Sequence, residues 1–232
     1  MAESEGVASA LAKVIGVGGG GGNAINTMVA NRLQGVQFIV ANADRQALDQ
    51  SKADVCLQIG RSMTKGLGAG AHPETGAQSA HERIEDVKEV LKGSSMAFVV
   101  ASQGGGTGTG TAPAVAKTSK ELGALAIAMV TKPFRFEGKH RLKNAEVDRK
   151  ALHQHADAMI TVPNDRLLGL PDAENFKTLR HAGTDRHRAA GGGEGHDRSD
   201  NCCWIDKCRF CRSLHRHERG RSGNYGLRIC CR

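Results

Sequence analysis

The sequence predicts an α/β fold built on a Rossmann-like parallel sheet, and three observations predict it. Short apolar runs that read as buried strands alternate with helical patterns from residue 13 to about residue 162. Two of these runs end directly in glycine-rich turns, at Gly18–Gly22 and Gly104–Gly110. Each of those turns opens into a helix, as it does where parallel sheets bind ligands beyond the carboxyl ends of their strands.

The elements follow in order. Lys13–Val17 reads as a first strand, Gly18–Gly22 as a turn, and 23–34 as a helix opening on Asn23-Ala24-Ile25-Asn26. Val36–Val40 supplies a second strand. A long helix is expected over 76–92, with Ile84, Val87 and Leu91 at helical spacing. Its charges, Arg83, Glu85, Asp86, Lys88 and Glu89, form a solvated face. Met96–Ala101 is a buried strand, and a helix over 111–122 carries Pro113 near its start. Strands at 125–130 and 158–162 flank a helix at 141–155. Residues 1–12 read as a flexible polar arm without the apolar stretch of a signal peptide. No segment offers about eighteen consecutive apolar residues, so no membrane insertion is expected.

The glycine turns carry the chemistry. A strand, a turn without bulky side chains and a helix start together form an anion cradle. Main-chain N–H groups approach phosphate oxygens there, and the helix dipole favours negative charge. In GGGTGTG (104–110) the hydroxyls of Thr107 and Thr109 add donors without bulk. The first turn has the logic of a dinucleotide fingerprint, and Asn42 and Asp44 stand past the second strand, where an NAD enzyme holds a ribose. A P-loop is excluded, because GxxxxGK[ST] occurs nowhere and no lysine follows either glycine run. Main-chain donors and a metal would therefore carry the phosphate charge.

Six blocks together resemble one family: KVIGVGGGGGNA (13–24), ANAD (41–44), GLGAGAHPE (66–74), GGGTGTG (104–110), TKPFRFEGKHR (131–141) and PNDRLL (163–168). Their order and spacing are similar to those of the FtsZ family of bacterial cell-division GTPases, relatives of tubulin. This match decides against the NAD oxidoreductase reading. The resemblance implies that Gly19, Gly20, Gly21, Gly22 and Asn23 line the base and α-phosphate side of GTP. It implies that Gly104, Gly105, Gly106, Thr107, Gly108 and Thr109 cradle the β- and γ-phosphates, with Gly68–Ala71 closing over the γ-phosphate. His72 departs from the asparagine common in the family. Glu137 and Arg141 would contact the ribose and phosphate region, although spacing alone is equally served by an exposed i,i+4 ion pair. Asn164 would read the guanine edge, and Asp185 falls by counting where a family aspartate lies near guanine. Mg2+ would accompany the nucleotide. The resemblance further implies a cytoplasmic protein at the mid-cell division site, assembling head to tail into filaments with other division proteins and without nucleic acid. Domain bounds of 13–178 for the GTP-binding domain follow.

Past Thr178 the chain changes character. Residues 180–232 hold eleven arginines, one lysine (Lys207) and six of the seven cysteines. Their net charge is +6 of the total +8. At face value this suggests nucleic acid, and Cys208-x-x-Cys211 with His215 and His217 suggests zinc. Apolar periodicity has vanished, however, and a permitted back-translation of Trp204–Leu214 read one base downstream gives GLINVDFADL. The same shift turns Arg221–Cys231 into EAVITGYGFAA. Both strings resemble the family, the first its acidic loop that completes the neighbouring subunit's active site. Residues 179–232 are therefore read as an out-of-frame tail with no domain, starting between Leu170 and Arg188. In this frame no catalytic residue is assigned, Asp206 included, and a fragment that binds GTP without hydrolysing it is the alternative function.

Overall fold

The computed structural model describes residues 11–169, which form a six-stranded, wholly parallel sheet with helices on both faces. The strands are β1 (Ala12–Val17), β2 (Val36–Asn42), β3 (Val55–Gln58), β4 (Met96–Ser102), β5 (Leu125–Lys132) and β6 (Ala158–Pro163). Their order across the sheet is β3-β2-β1-β4-β5-β6. The connection after β1 runs toward one edge and the connection after β4 toward the other. The direction of winding therefore reverses between β1 and β4, which opens a crevice past their carboxyl ends. Both glycine-rich segments sit there.

Alternation along β1 divides the core. Val14 packs with Ile25 and Met28 of α1 (Gly18–Ala30) and with Phe38 on one face. Ile15 and Val17 pack on the other with Val87, Leu91, Val115 and Leu152. Those partners come from α5 (Ile84–Leu91), α6 (Thr107–Glu121) and α7 (Lys139–His155). The remaining helices are α2 (Arg45–Asp49), α3 (Arg61–Thr64) and α4 (Pro73–Glu82). Lys13, at the opposite end of the sheet from the crevice, is buried and donates to the carbonyls of Val90 (2.6 Å) and Lys92 (2.9 Å) at the carboxyl end of α5.

The expected strands are present with ends shifted by no more than two residues. Three features differ. Gly18–Gly22 are not a turn before a helix at Asn23 but the first five residues of α1. The helix expected at 111 begins at Thr107, so Pro113 lies inside it and has no N–H to give the Thr109 carbonyl. The expected helix over 76–92 is two helices. Arg83 leaves the helical conformation (φ −123°, ψ 29°) between α4 and α5. The backbone of α4 is drawn against the start of α6 at Gly76 and Gly110, whereas α5 turns Val87 and Leu91 into the core. One straight helix cannot do both. The first arm up to residue 10 and everything past Gly169 lie outside the described residues.

Candidate functional site

Two helix N-termini meet in the crevice. Both α1 and α6 begin without a side-chain cap and without an acidic residue in the first turn. Their first N–H groups have no intrahelical acceptor, and both dipoles present positive ends. Gly18 makes the approach possible: its φ is 70°, and a Cβ there would lie 2.8 Å from the Gly108 nitrogen.

The turn entering α6 is held from three sides. Gly104, at φ 93°, donates its N–H to Thr109 Oγ1 (2.9 Å) and lies against the Arg141 carbonyl oxygen, which a Cβ would approach to 2.9 Å. Gly106 lies under the loop 68–71, and a Cβ on it would strike the carbonyl oxygens of Gly70 and Ala69. Ala69 N–H donates to Thr107 Oγ1 (3.4 Å), so that loop rests on the start of α6. His72 caps α4 through its backbone only.

Of the glycines expected at the site, most pack their Cα against backbone or small side chains. Gly20 abuts Ser102, Gly21 the Val100 carbonyl, Gly108 the Ser102 carbonyl, and Gly22 touches Val40. Gly19 and Gly105 have no atom within 4 Å of the missing Cβ. Each marks open space beside one of the two helix starts. Asn23 lies in the second turn of α1.

Glu137 is engaged twice. It accepts from the Phe134 N–H (2.7 Å), closing the turn Arg135–Glu137, and from Arg141 Nη1 (2.7 Å). The ion pair that spacing alone allowed is therefore formed, joining this turn to α7, whose Arg141 carbonyl touches Gly104. Arg135 reaches the next segment, with its N–H and Nε on the Asp165 carboxylate (3.2 and 3.3 Å). Asn164, just past β6 at the same edge of the sheet, is 2% exposed, and its Oδ1 has no hydrogen-bond partner. Asp44 caps α2, accepting from Gln46 and Ala47 N–H, and so has a structural task where a dinucleotide enzyme would hold a ribose. Asp185, the Cys208/Cys211 pair, His215 and His217 lie outside the described residues.

One buried group was missed from the sequence. Asp148 on α7 is 3% exposed, and burial pushes its carboxyl up to about 8 against a weaker opposing effect of the Gln103 amide. Its spacing with the buried Ala145 and Leu152 placed an aspartate on the apolar face of α7.

Residues 12–172 match the Tubulin/FtsZ family, GTPase domain. The chain is 54% identical over 162 residues to the cell division protein FtsZ of Coxiella burnetii, a stretch covering 70% of this chain and 42% of that protein. Among solved structures, an empty FtsZ dimer of M. jannaschii is similar with TM-score 0.69 and 39% identity, over 76% of this chain and 52% of that one. A W319Y variant of M. jannaschii FtsZ gives TM-score 0.69 and 36% identity, over 85% and 62%. The chain thus spans between about two fifths and three fifths of these relatives' lengths.

Proposed function

The chain belongs to the Tubulin/FtsZ family, and from that premise we propose that it binds GTP in the crevice between α1 and α6 as part of a cell-division GTPase. The observation that carries this reading is the meeting of two uncapped helix starts with open space at Gly19 and Gly105. The phosphates lie over the first N–H groups of both helices, under the loop 68–71. Glu137 and Arg141 border the ribose side, and the orphaned Oδ1 of Asn164 accepts from the guanine edge. Gly20, Gly21, Gly22, Asn23, Gly104, Gly106, Thr107, Gly108 and Thr109 supply the surrounding backbone.

Mg2+ fits this donor set as a phosphate-bound ion. No cluster of three or more His, Cys, Asp or Glu exists among the described residues to cage it, and Mg2+ is commonly held by phosphates and water. It would neutralise charge on the phosphates. Head-to-tail assembly is proposed on the family's account, and a heterologous contact of that kind propagates without closing. No described helix is long and apolar enough to cross a membrane. We place the GTP-binding domain at 13–178 and read the segment beyond it as out of frame, so that turnover would need an acidic loop this reading lacks.

Titration of the whole chain with a fluorescent GTP analogue tests the assignment. Saturable binding displaced by GTP and GDP, but not by ATP or NAD, is expected. Displacement by NAD as readily as by GTP would restore the dinucleotide reading. Turnover measured in the same samples distinguishes a GTPase from a fragment that only binds.

A further inference from the structure

Helix α7 backs both segments that enclose the start of α6. The Arg141 carbonyl lies against Gly104 in the phosphate turn, and three residues on, Asn144 Nδ2 donates to the Ala71 carbonyl at 3.4 Å. Ala71 ends the loop 68–71. The same nitrogen lies 3.4 Å from Nδ1 of His140, one turn back along α7. A carbonyl oxygen only accepts, so the Asn144 amide is assigned with its NH2 group toward Ala71. Its second hydrogen then meets His140 Nδ1, in the tautomer that carries the ring proton on Nε2. Two neighbours thus fix which way this half-buried amide faces.

The loop is secured at its front by the main chain. Arg45 N–H donates to the Gly66 carbonyl (3.1 Å), and Leu67 pairs with Asp44 in an antiparallel bridge. Its middle rests on Thr107 through Ala69. Toward its rear Gly70 is left-handed (φ 58°), and both Gly70 and Ala71 are exposed. A glycine there has no side chain to pack and the most freedom to lose on ordering. Asn144 meets the chain at that point, from a helix whose Ala145 and Leu152 are buried in the core.

We propose that Asn144 is a positioning residue for the anion site: its amide tethers Ala71 to α7 and holds the loop 68–71 over the start of α6 before a ligand arrives. The ligand is taken from the proposed function, so the inference rests on that reading. Preorganisation is the physical basis. A loop already held in its bound position loses no affinity to being ordered at the moment of binding. Without the tether α4 would stay in place, because Thr111 Oγ1 donates independently to the Gly76 carbonyl (3.0 Å). Loosening is therefore confined to the loop.

The experiment compares the whole chain with Asn144→Leu, which keeps the shape of the side chain and removes the donor. Without nucleotide, NMR relaxation should show backbone order falling at Gly70 and Ala71 in the variant, with the urea midpoint unchanged. Affinity for the fluorescent GTP analogue should fall about fivefold, the scale of one hydrogen bond. Asn144→Gln, which retains the carboxamide, should recover part of that loss. His140→Ala, at an exposed position, should loosen the same two residues to a smaller degree. Unchanged order in Asn144→Leu, a loosened loop with the parent's affinity, or a Gln variant no better than Leu would each overturn the proposal. A parent that binds no GTP analogue would defeat the nucleotide reading alone. Pyrophosphate is then the deciding probe, and equal affinity in the parent and Asn144→Leu would sink the tether as well.

Discussion

Gly18–Gly22 and Gly104–Gly110 follow neighbouring parallel strands, yet their glycines answer to different surroundings. In the first segment the chain enters a helix at once, and Gly20 and Gly21 let that helix settle on Ser102 and Val100 of β4. In the second the chain first makes a turn. Gly104 adopts a left-handed conformation against α7, and Gly106 lies beneath the loop 68–71. One segment is chiefly a helix-to-sheet seam and the other a junction of three backbones. Each keeps one glycine, Gly19 or Gly105, with nothing beside it. Glycine content alone thus does not identify a ligand contact. What separates the classes is the neighbour a side chain would meet.

Substitutions can break or sharpen that contrast. The largest effect is expected at the junction. Gly106→Val should abolish nucleotide binding and destabilise the chain by about 3 kcal/mol or more, because the obstacle is rigid backbone of Ala69 and Gly70. A variant with unchanged urea midpoint and unchanged GTP affinity would refute this packing. At the seam, Gly18→Ala meets both a positive φ and the Gly108 nitrogen, and a loss of about 2 kcal/mol in urea denaturation is expected. The smallest change in stability belongs to Gly19→Ala and Gly105→Ala, within about 0.5 kcal/mol of the parent or slightly stabilised at the helical position. Their GTP affinity should nevertheless fall by about tenfold or more. Affinity equal to the parent's in both would mean that the open space is not where the ligand lies.

The inner strands β1, β2, β4 and β5 were readable because burial on both faces writes continuous hydrophobic runs, as in Met96–Ala101. Val55–Gln58 was not, since three half-buried residues and the exposed Cys56 at an edge carry too little length to show a period. The placement of both glycine segments at carboxyl strand ends was legible from order alone. Their division into packing and open glycines was not, because it depends on α4 and the loop 68–71, which arrive from elsewhere in the chain. Glu137 and Arg141 show the same limit: spacing allowed their pairing, but only the fold puts the Arg141 carbonyl against Gly104. The break at Arg83 arose from tertiary demands that helix propensity does not encode.

The strand order also sets a timetable for synthesis. The central strand β1 is made first, yet Ala12 waits for Met96, its partner in β4, which is 84 positions later in the chain. At translation rates of about 5–20 residues per second, that interval is roughly 4–17 s. Throughout it β1, with Val14, Ile15 and Val17, has only β2 beside it, and its other edge is unpaired. Such an unpaired parallel edge is slow to close and prone to join other chains. The arrangement that opens a crevice between β1 and β4 therefore also makes the growing polypeptide dependent on protection until β4 has left the ribosome.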